Sequence, residues 1–394
     1  METGHEELQS TYYCHWCRFY RVRHCPRSCL AWFSGSVLER GDIANGTSGR
    51  THGLLHSGAR YCVTDQDAAI ECIEENILFR KIAAQCIEYN GGLFVALDEE
   101  DEAYGTRFEQ GAQKCGIPIE RLTGNQARKK EPNLTPKTRL AYSVPDGVFD
   151  PLRLAMAFAA TAKKNGAEFL TYHEVTGFDF DGKGNIREVS AINRHTNEKI
   201  KFTADMVINA TGAWAGLVAR LAGVTVDVIP TPGVMVCYDQ RLVQRVINRL
   251  CEPDDGDILI PQRRMVVIGT TSFEVEDVDY IPVTPAQVEL MHQKAAELVP
   301  AVAATHQRGA YMSARPLIGS ATLGRSLSRT FKCYHHQETD GIGGLVTITG
   351  GKATTCRVMA EKTVDLVCNL MGVSRSCETR EVVLDSYRDY YTHS

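Results

Sequence analysis

Apolar positions along this chain recur at two periods, and the switches between them outline its elements. From residue 65 to 86 the spacing is helical, with Ala69, Ile73, Ile77 and Ile82 near one face and acids crowding the first turns. Gly91-Gly92 interrupts it, and Leu93-Phe94-Val95-Ala96-Leu97 reads as a buried strand. The acidic run 98–102 opens a second helix that ends near Gly116, and residues 129–136, with two X-Pro pairs, read as a loop. Residues 142–150 read as a strand and turn; Asp150 then makes an N-cap with Pro151 at the first helical position, and that helix stops at Asn165-Gly166. Residues 168–175 come next. A hairpin-like pair follows around residues 181–184 and 196–198, then an apolar strand, 206–210, leading into Thr211-Gly212-Ala213-Trp214. Between 224 and about 337 the strands alternate (234–238, 258–260, 265–271, 311–317), which predicts an antiparallel sheet, with a helix from Thr284-Pro285 to 298. The closing unit is the strand 345–349, the turn Gly350-Gly351-Lys352-Ala353-Thr354-Thr355, and a helix to about 371 whose Val358, Val364, Leu366 and Val367 are core positions. The tail, 378–394, is polar and tyrosine-rich and carries no pattern.

Composition narrows the class. With 394 residues the chain can bury a large core and is long enough for two domains. Apolar and charged fractions of 43% and 23% are those of a soluble globular protein, and a net charge of −5 offers no field for nucleic acid. No apolar run reaches the roughly 18 residues of a membrane span, and residues 1–10 are too polar for a secretory signal. The 14 cysteines, mostly scattered on apolar faces, fit reduced thiols in a cytoplasmic protein better than a disulfide framework.

Candidate chemistry concentrates in residues 38–61. A short apolar end, Val37-Leu38, stops at Glu39; Gly46, Thr47, Ser48 and Gly49 follow, then His52 and His56 with Arg50 and Arg60 among glycines. A strand ending in a carboxylate is where dinucleotide folds hold a ribose hydroxyl pair, and a glycine- and hydroxyl-rich turn lets backbone approach a large planar cofactor. The turn after residue 349 likewise aims backbone N–H groups at an anion. Arg60, Arg315 and Lys352 are cations in apolar or glycine-rich settings, suited to a phosphate or carboxylate; the competing reading makes each a satisfied ion-pair partner inside the scaffold.

Residues 11–36 break the pattern. Cys14, Cys17, Cys25 and Cys29, with His15 and His24, imitate metal-ligand spacing, but the residues between show neither strand alternation nor a helical stripe, and no metal site is assigned. A one-base shift of the codons from Tyr12 onward permits Ile-Ile-Val-Ile-Gly-Ala-Gly-Ser-Thr-Gly-Cys-Gly-Ile-Ala-Arg-Asp-Leu-Ala. That text is a strand, a G-x-G-x-x-G turn and a helix start, with its last fingerprint glycine roughly 20 residues before Glu39, the spacing the fold requires.

From about Leu38 to Cys377 these motifs resemble the catalytic subunits of anaerobic, FAD-dependent glycerol-3-phosphate dehydrogenases, within the D-amino-acid-oxidase-like flavoproteins. The resemblance implies an α/β fold in which a Rossmann-like FAD-binding domain (37–90, 150–223 and 338–377) interleaves with an antiparallel-sheet substrate domain (91–149 and 224–337), flanked by the anomalous segment 1–36 and the tail 378–394. It implies FAD held by Glu39, Arg40, Thr47, Ser48, Val175, Ala210, Thr211, Gly212, Trp214, Gly351, Lys352 and Thr354, and catalysis by Arg60, Arg315, Lys352 and His56; by position in the sequence His52 is a second candidate base beside His56, and Lys352 could instead stabilise the developing alkoxide. The expected reaction is oxidation of sn-glycerol 3-phosphate to dihydroxyacetone phosphate in glycerol metabolism and anaerobic respiration. Electrons would leave toward quinone through membrane-anchoring and electron-transfer subunits at the cytoplasmic face of the inner membrane. Members of this type continue into a cysteine-rich C-terminal domain, and the chain stops at Ser394 without it. The alternatives are an FAD-dependent oxidase or dehydrogenase of 2-hydroxy or amino acids, a remnant lacking a complete FAD site, and a metal-binding module on the Cys14–Cys29 cluster.

Overall fold

The computed structural model describes residues 35–273, 275, 277–319 and 330–392. The Cys14–Cys29 cluster and the shifted fingerprint text both lie outside these. Among the described residues the largest sheet has eight strands, in the order Gln307–Ile318, Val228–Tyr238, Met265–Gly269, Ile258–Gln262, Val246–Arg249, Gly92–Ala96, Leu140–Val144, Glu120–Thr123. Every neighbouring pair is antiparallel except one: Val246–Arg249 runs parallel to Gly92–Ala96, with Val246 opposite Gly92 and Arg249 opposite Val95. This pair joins two stretches far apart in the chain. The sheet's core packs Leu93 and Val95 with Val234, Val236, Leu259 and Ile268, and closes under Met291 and Leu298 of the helix Pro285–Leu298. Thr284 and Gln287 cap that helix reciprocally, and Pro285 occupies the position where its missing N–H costs nothing.

The parallel strands are fewer and separate. Ser36–Glu39 pairs in parallel with Glu168–Thr171, placing Glu39 opposite Thr171. Val207–Asn209 pairs in parallel with Leu345–Gly350, which is antiparallel to Phe331–His335. The two groups share one hydrophobic cluster through Leu38, Val207 and Leu345, yet among the described residues they are not joined by a ladder. The hairpins expected near 181–184 and 196–198 form a three-stranded antiparallel sheet, His173–Phe180, Ile186–Asn193 and Lys199–Thr203.

Several expectations need correction. The stretch 168–175, undivided in the sequence, belongs to two strands: the chain turns at Tyr172, φ 59, and enters a different sheet. Tyr172 is held there by donating to the Gly41 carbonyl at 2.9 Å and accepting from Arg194 N–H at 2.7 Å. The loop at 129–136 begins later than expected, because Gly124–Lys130 is a helix started by a reciprocal Thr123–Gln126 cap. Ile77 is 52% exposed; the buried face of the helix Gln66–Ile82 runs through Ala69, Ile73, Asn76, Phe79 and Ile82 instead. In the helix Cys356–Leu370, Val364 and Val367 are buried but Val358 and Leu366 only half so. Buried Arg357, not anticipated, makes a forked bond to Glu75 (2.6 and 2.9 Å) and reaches Glu361 and Thr379. The tail docks on the helix Pro151–Lys164: Asp385 N–H donates to Thr161 Oγ1 at 2.8 Å, and Lys163 Nζ donates to the Tyr390 carbonyl at 3.0 Å. Among the described residues no helix is long and apolar enough to cross a membrane.

Candidate active site

Glu39 closes its strand buried, and its Oε1 accepts from the Gly41 N–H at 2.9 Å, which turns the backbone sharply at the carboxylate. Arg40, the next residue, leaves that turn outward. Its guanidinium lies 4.7 Å from the Trp214 ring centroid and is ion-paired with Asp279, while Trp214 Nε1–H donates to the same carboxylate at 2.9 Å. The short helical turn Thr47–Arg50, containing Ser48, is tied across the molecule by Thr47 Oγ1 donating to the Ala314 carbonyl at 2.6 Å.

Residues 52–61 form the floor. His52 Nδ1 accepts from Leu54 N–H at 3.1 Å, and its carbonyl accepts from Gln262 Nε2 at 2.9 Å. Gly58 has φ +89, and a Cβ there would lie 2.2 Å from the Ala69 carbonyl, so only glycine lets the chain pass this close to the helix Gln66–Ile82. Thr354 staples the floor to the closing turn: its Oγ1 accepts from His56 N–H at 3.1 Å and contacts the Leu54 carbonyl at 3.4 Å. Lys352 Nζ stands 4.7 Å over the Tyr61 ring, a cation on an aromatic face.

Opposite, the strand Val207–Asn209 delivers Ala210, Thr211 and Gly212. Asn209 fixes this turn, accepting from Thr211 Oγ1 at 2.7 Å and donating to the Ala215 carbonyl at 2.9 Å. Val175 comes from the strand His173–Phe180. Glu39, Arg40, Thr47, Ser48, His52, His56, Arg60, Val175, Ala210, Thr211, Gly212, Trp214, Arg315, Gly351, Lys352 and Thr354 line one cavity of about 1300 Å³, so every residue singled out for cofactor or substrate from the sequence faces the same space.

The cations differ in how they are held. Arg60 Nη2 donates to Asp257 Oδ1 at 2.8 Å. Burial works against its charge, but the Asp257 carboxylate outweighs burial and holds its pKa above the ordinary arginine value. Arg315 is gripped by the carbonyls of Thr231, Pro232 and Thr271 and by Thr270 Oγ1, at 3.0 to 3.3 Å, which fixes the plane of its fork. Burial first, then the charges of Arg60 and Arg315, pull the His52 pKa down from 6.5 to about 3. Asp257, Thr270 and Asp279 escaped the sequence reading; each acts across some 40 to 240 residues on a partner no local pattern could name.

The donor set fits a dinucleotide. The cavity exceeds the ~300–1,000 Å³ of an ordinary small-molecule pocket. A buried carboxylate ends a parallel strand on its wall, as the ribose of such a cofactor requires. Gly350 has φ +88, and a Cβ there would lie 2.7 Å from the Thr330 carbonyl, so the closing turn presents bare backbone.

The family model for FAD dependent oxidoreductases matches residues 33–357. The chain is 39% identical to an anaerobic glycerol-3-phosphate dehydrogenase subunit of Haloferax volcanii over 368 residues, covering 90% of this chain and 63% of that protein. It is 41% identical to an anaerobic glycerol-3-phosphate dehydrogenase subunit of Escherichia coli K12 over 352 residues, covering 88% and 65%. The chain thus spans slightly less than two thirds of these relatives (63% and 65%). Among solved structures, glycine oxidase from Geobacillus kaustophilus superposes with a TM-score of 0.71 at 20% identity, over 89% of this chain and 92% of its own. Glycerol-3-phosphate dehydrogenase from Bacillus halodurans, complexed with FAD, does so at 0.68 and 20%, over 96% and 68%. Sheet, cavity and sequence agree: this chain belongs to the FAD-dependent oxidoreductases of the DAO family.

Proposed function

We propose that this chain oxidises sn-glycerol 3-phosphate to dihydroxyacetone phosphate. What carries the reading is that Arg60, Arg315 and Lys352 line one cavity, a set of charges matched to a dianionic phosphate ester rather than a neutral amine. The names of the relatives agree with it. FAD, when bound, supplies the acceptor for the hydride leaving C2. Glu39, Val175, the turn 210–212 and the turn 350–354 hold it, and Arg40 with Trp214 closes over its entrance. Arg315, fixed by carbonyls, orients the phosphate, and Arg60 shares that anion while Asp257 keeps its side chain in place. His56 receives the hydroxyl proton, and Lys352 stabilises negative charge developing on that oxygen.

The domain division follows the same logic. What supports it is that the eight-stranded sheet draws its strands only from 91–149 and 224–337. Three pairings cross the boundary: Gly147–Phe149 with Leu54–Leu55 and with Ile87–Glu88, and Phe331–His335 with Leu345–Gly350. Because the relatives are named as subunits of an anaerobic dehydrogenase, the electrons pass to further subunits and on to quinone at the cytoplasmic face of a membrane.

The test is a visible spectrum of the desalted protein, recorded anaerobically before and after substrate. Flavin bands that bleach with glycerol 3-phosphate, and not with lactate or D-alanine, are expected. Bleaching by either of the latter instead would move the chain to the 2-hydroxy- or amino-acid class, and a protein that takes up no FAD would make it an inactive relative.

A further inference from the structure

His52 occupies an unusual position for a histidine beside a redox site. Its ring is half-buried, with its open edge in the cavity. The backbone N–H of Leu54, which can only donate, points at Nδ1 from 3.1 Å. Nδ1 must therefore carry the lone pair, and in a neutral ring the proton sits on Nε2. Among the described residues nothing hydrogen-bonds Nε2, and that atom is not sealed from the cavity. The ring packs against the sheet. Gly269 backs it so closely that a Cβ there would lie 3.3 Å from His52 Cδ2, and its carbonyl is anchored by Gln262.

The charges that face it are all positive. Arg60 comes from its own loop and Arg315 from the strand Gln307–Ile318, and both disfavour a second proton on the ring. The nearest other titratable ring is His56, 6.0 Å away centroid to centroid. Gly269 and Gln262, which pack against it from the sheet, carry no charge. A base would need its lone pair turned to the substrate, and here the lone pair is turned to the backbone.

We infer that His52 is a fixed, neutral hydrogen-bond donor, presenting Nε2–H to an anionic oxygen of the substrate between Arg60 and Arg315, and that it takes no part in proton abstraction. This rests on the phosphate-ester reading above for the identity of the oxygen, though not for the tautomer. The arrangement gives the site a third donor whose charge does not change with pH, so recognition of the anion is not lost as the medium becomes neutral or mildly alkaline.

Two measurements decide it. Whole protein labelled with 15N-histidine, with His52→Gln identifying the signal among the 12 histidines, should show an Nε2–H tautomer that does not titrate between pH 5 and 8. In the FAD-loaded enzyme, Gln places an amide N–H near the position of Nε2, while Asn places one near Nδ1. H52Q should keep the KM for glycerol 3-phosphate within about threefold. H52N, checked for unchanged flavin absorbance, should raise it about 10- to 100-fold, the loss of one hydrogen bond to a charged group. An Nδ1–H tautomer, a ring that titrates near pH 6 to 7, or equal losses in the two variants would each overturn the inference. If glycerol 3-phosphate fails to bleach the wild-type flavin, the substrate reading falls instead, and the labelled spectra still decide the tautomer.

Discussion

The two sheets that flank the cavity are built to different degrees of completeness. On one side, eight strands run unbroken from Gln307–Ile318 to Glu120–Thr123, each bonded to its neighbours. On the other, two parallel pairs, Ser36–Glu39 with Glu168–Thr171 and Val207–Asn209 with Leu345–Gly350, lean on one hydrophobic cluster, and among the described residues no ladder joins them. A doubly wound cofactor fold sets a central strand at this place, followed by the glycine turn that receives pyrophosphate. The translated text of residues 12–36 does not spell that turn, and a one-base shift of its codons permits it. The proposed substrate cations all lie among the described residues, whereas the fingerprint turn that would receive pyrophosphate is not spelled in the sequence as written.

That contrast can be broken most directly at the N-terminus. Replacing residues 12–29 by the shifted reading should tighten FAD binding to the apoprotein at least about 100-fold in a fluorescence titration, since several contacts of roughly 1.5–3 kcal/mol return with the fingerprint turn. Equal affinities would mean the two sides are equally complete. The next effect is structural. Arg357→Ala strands the buried Glu75 carboxylate and should cost about 3–5 kcal/mol in denaturant unfolding, loosening FAD as well because the helix Cys356–Leu370 follows the closing turn. Leu259→Ala, in the core of the eight-stranded sheet, should cost ~2–5 kcal/mol and leave FAD affinity within about twofold.

A smaller effect comes from proton linkage. His52 is neutral when folded, with its pKa lowered to about 3 from 6.5, so between those values the unfolded chain binds the extra proton. Stability should therefore fall as pH drops below 6.5, by up to about 1.4 kcal/mol per pH unit for one group, and H52Q should remove that share of the slope. The smallest concerns the entrance. Asp279→Asn breaks the pair with Arg40, and FAD release, followed by stopped flow, should quicken about two- to fivefold. The Arg40 hydrogen bond first, against some burial, keeps the Asp279 pKa below its ordinary 3.8, so the wild-type pairing should persist unchanged down to pH 4 and fail only beneath it.

What the sequence disclosed follows the reach of each interaction. Caps were readable because they act within four residues: Asp150 with Pro151, and Thr284 with Gln287, start their helices where expected. The Thr123–Gln126 cap carried the same signal, but the X-Pro pairs after it drew the reading toward a loop. The cavity residues were found because they cluster in glycine- and hydroxyl-rich turns at strand ends, a pattern that is itself local. Tyr172 was missed because nothing in a β-rich tyrosine announces a positive φ; the Gly41 and Arg194 backbones impose it. Arg357 and Asp257 were missed for the same reason. Their partners, Glu75 and Arg60, lie 282 and 197 residues away.

The single parallel pairing between Val246–Arg249 and Gly92–Ala96 sets an order of events during synthesis. Leu140–Val144 can zip onto Gly92–Ala96, and Glu120–Thr123 onto Leu140–Val144, as soon as they leave the ribosome, but the other edge of Gly92–Ala96 stays bare until the chain beyond residue 246 emerges. At ~5–20 residues per second the wait is on the order of 10 s. For that interval a nascent chain displays a hydrophobic strand edge with no intramolecular partner, the kind of surface that holdase chaperones bind and that pairs wrongly with its own copies. Guarding that waiting edge is a demand on the nascent chain that the finished fold no longer shows.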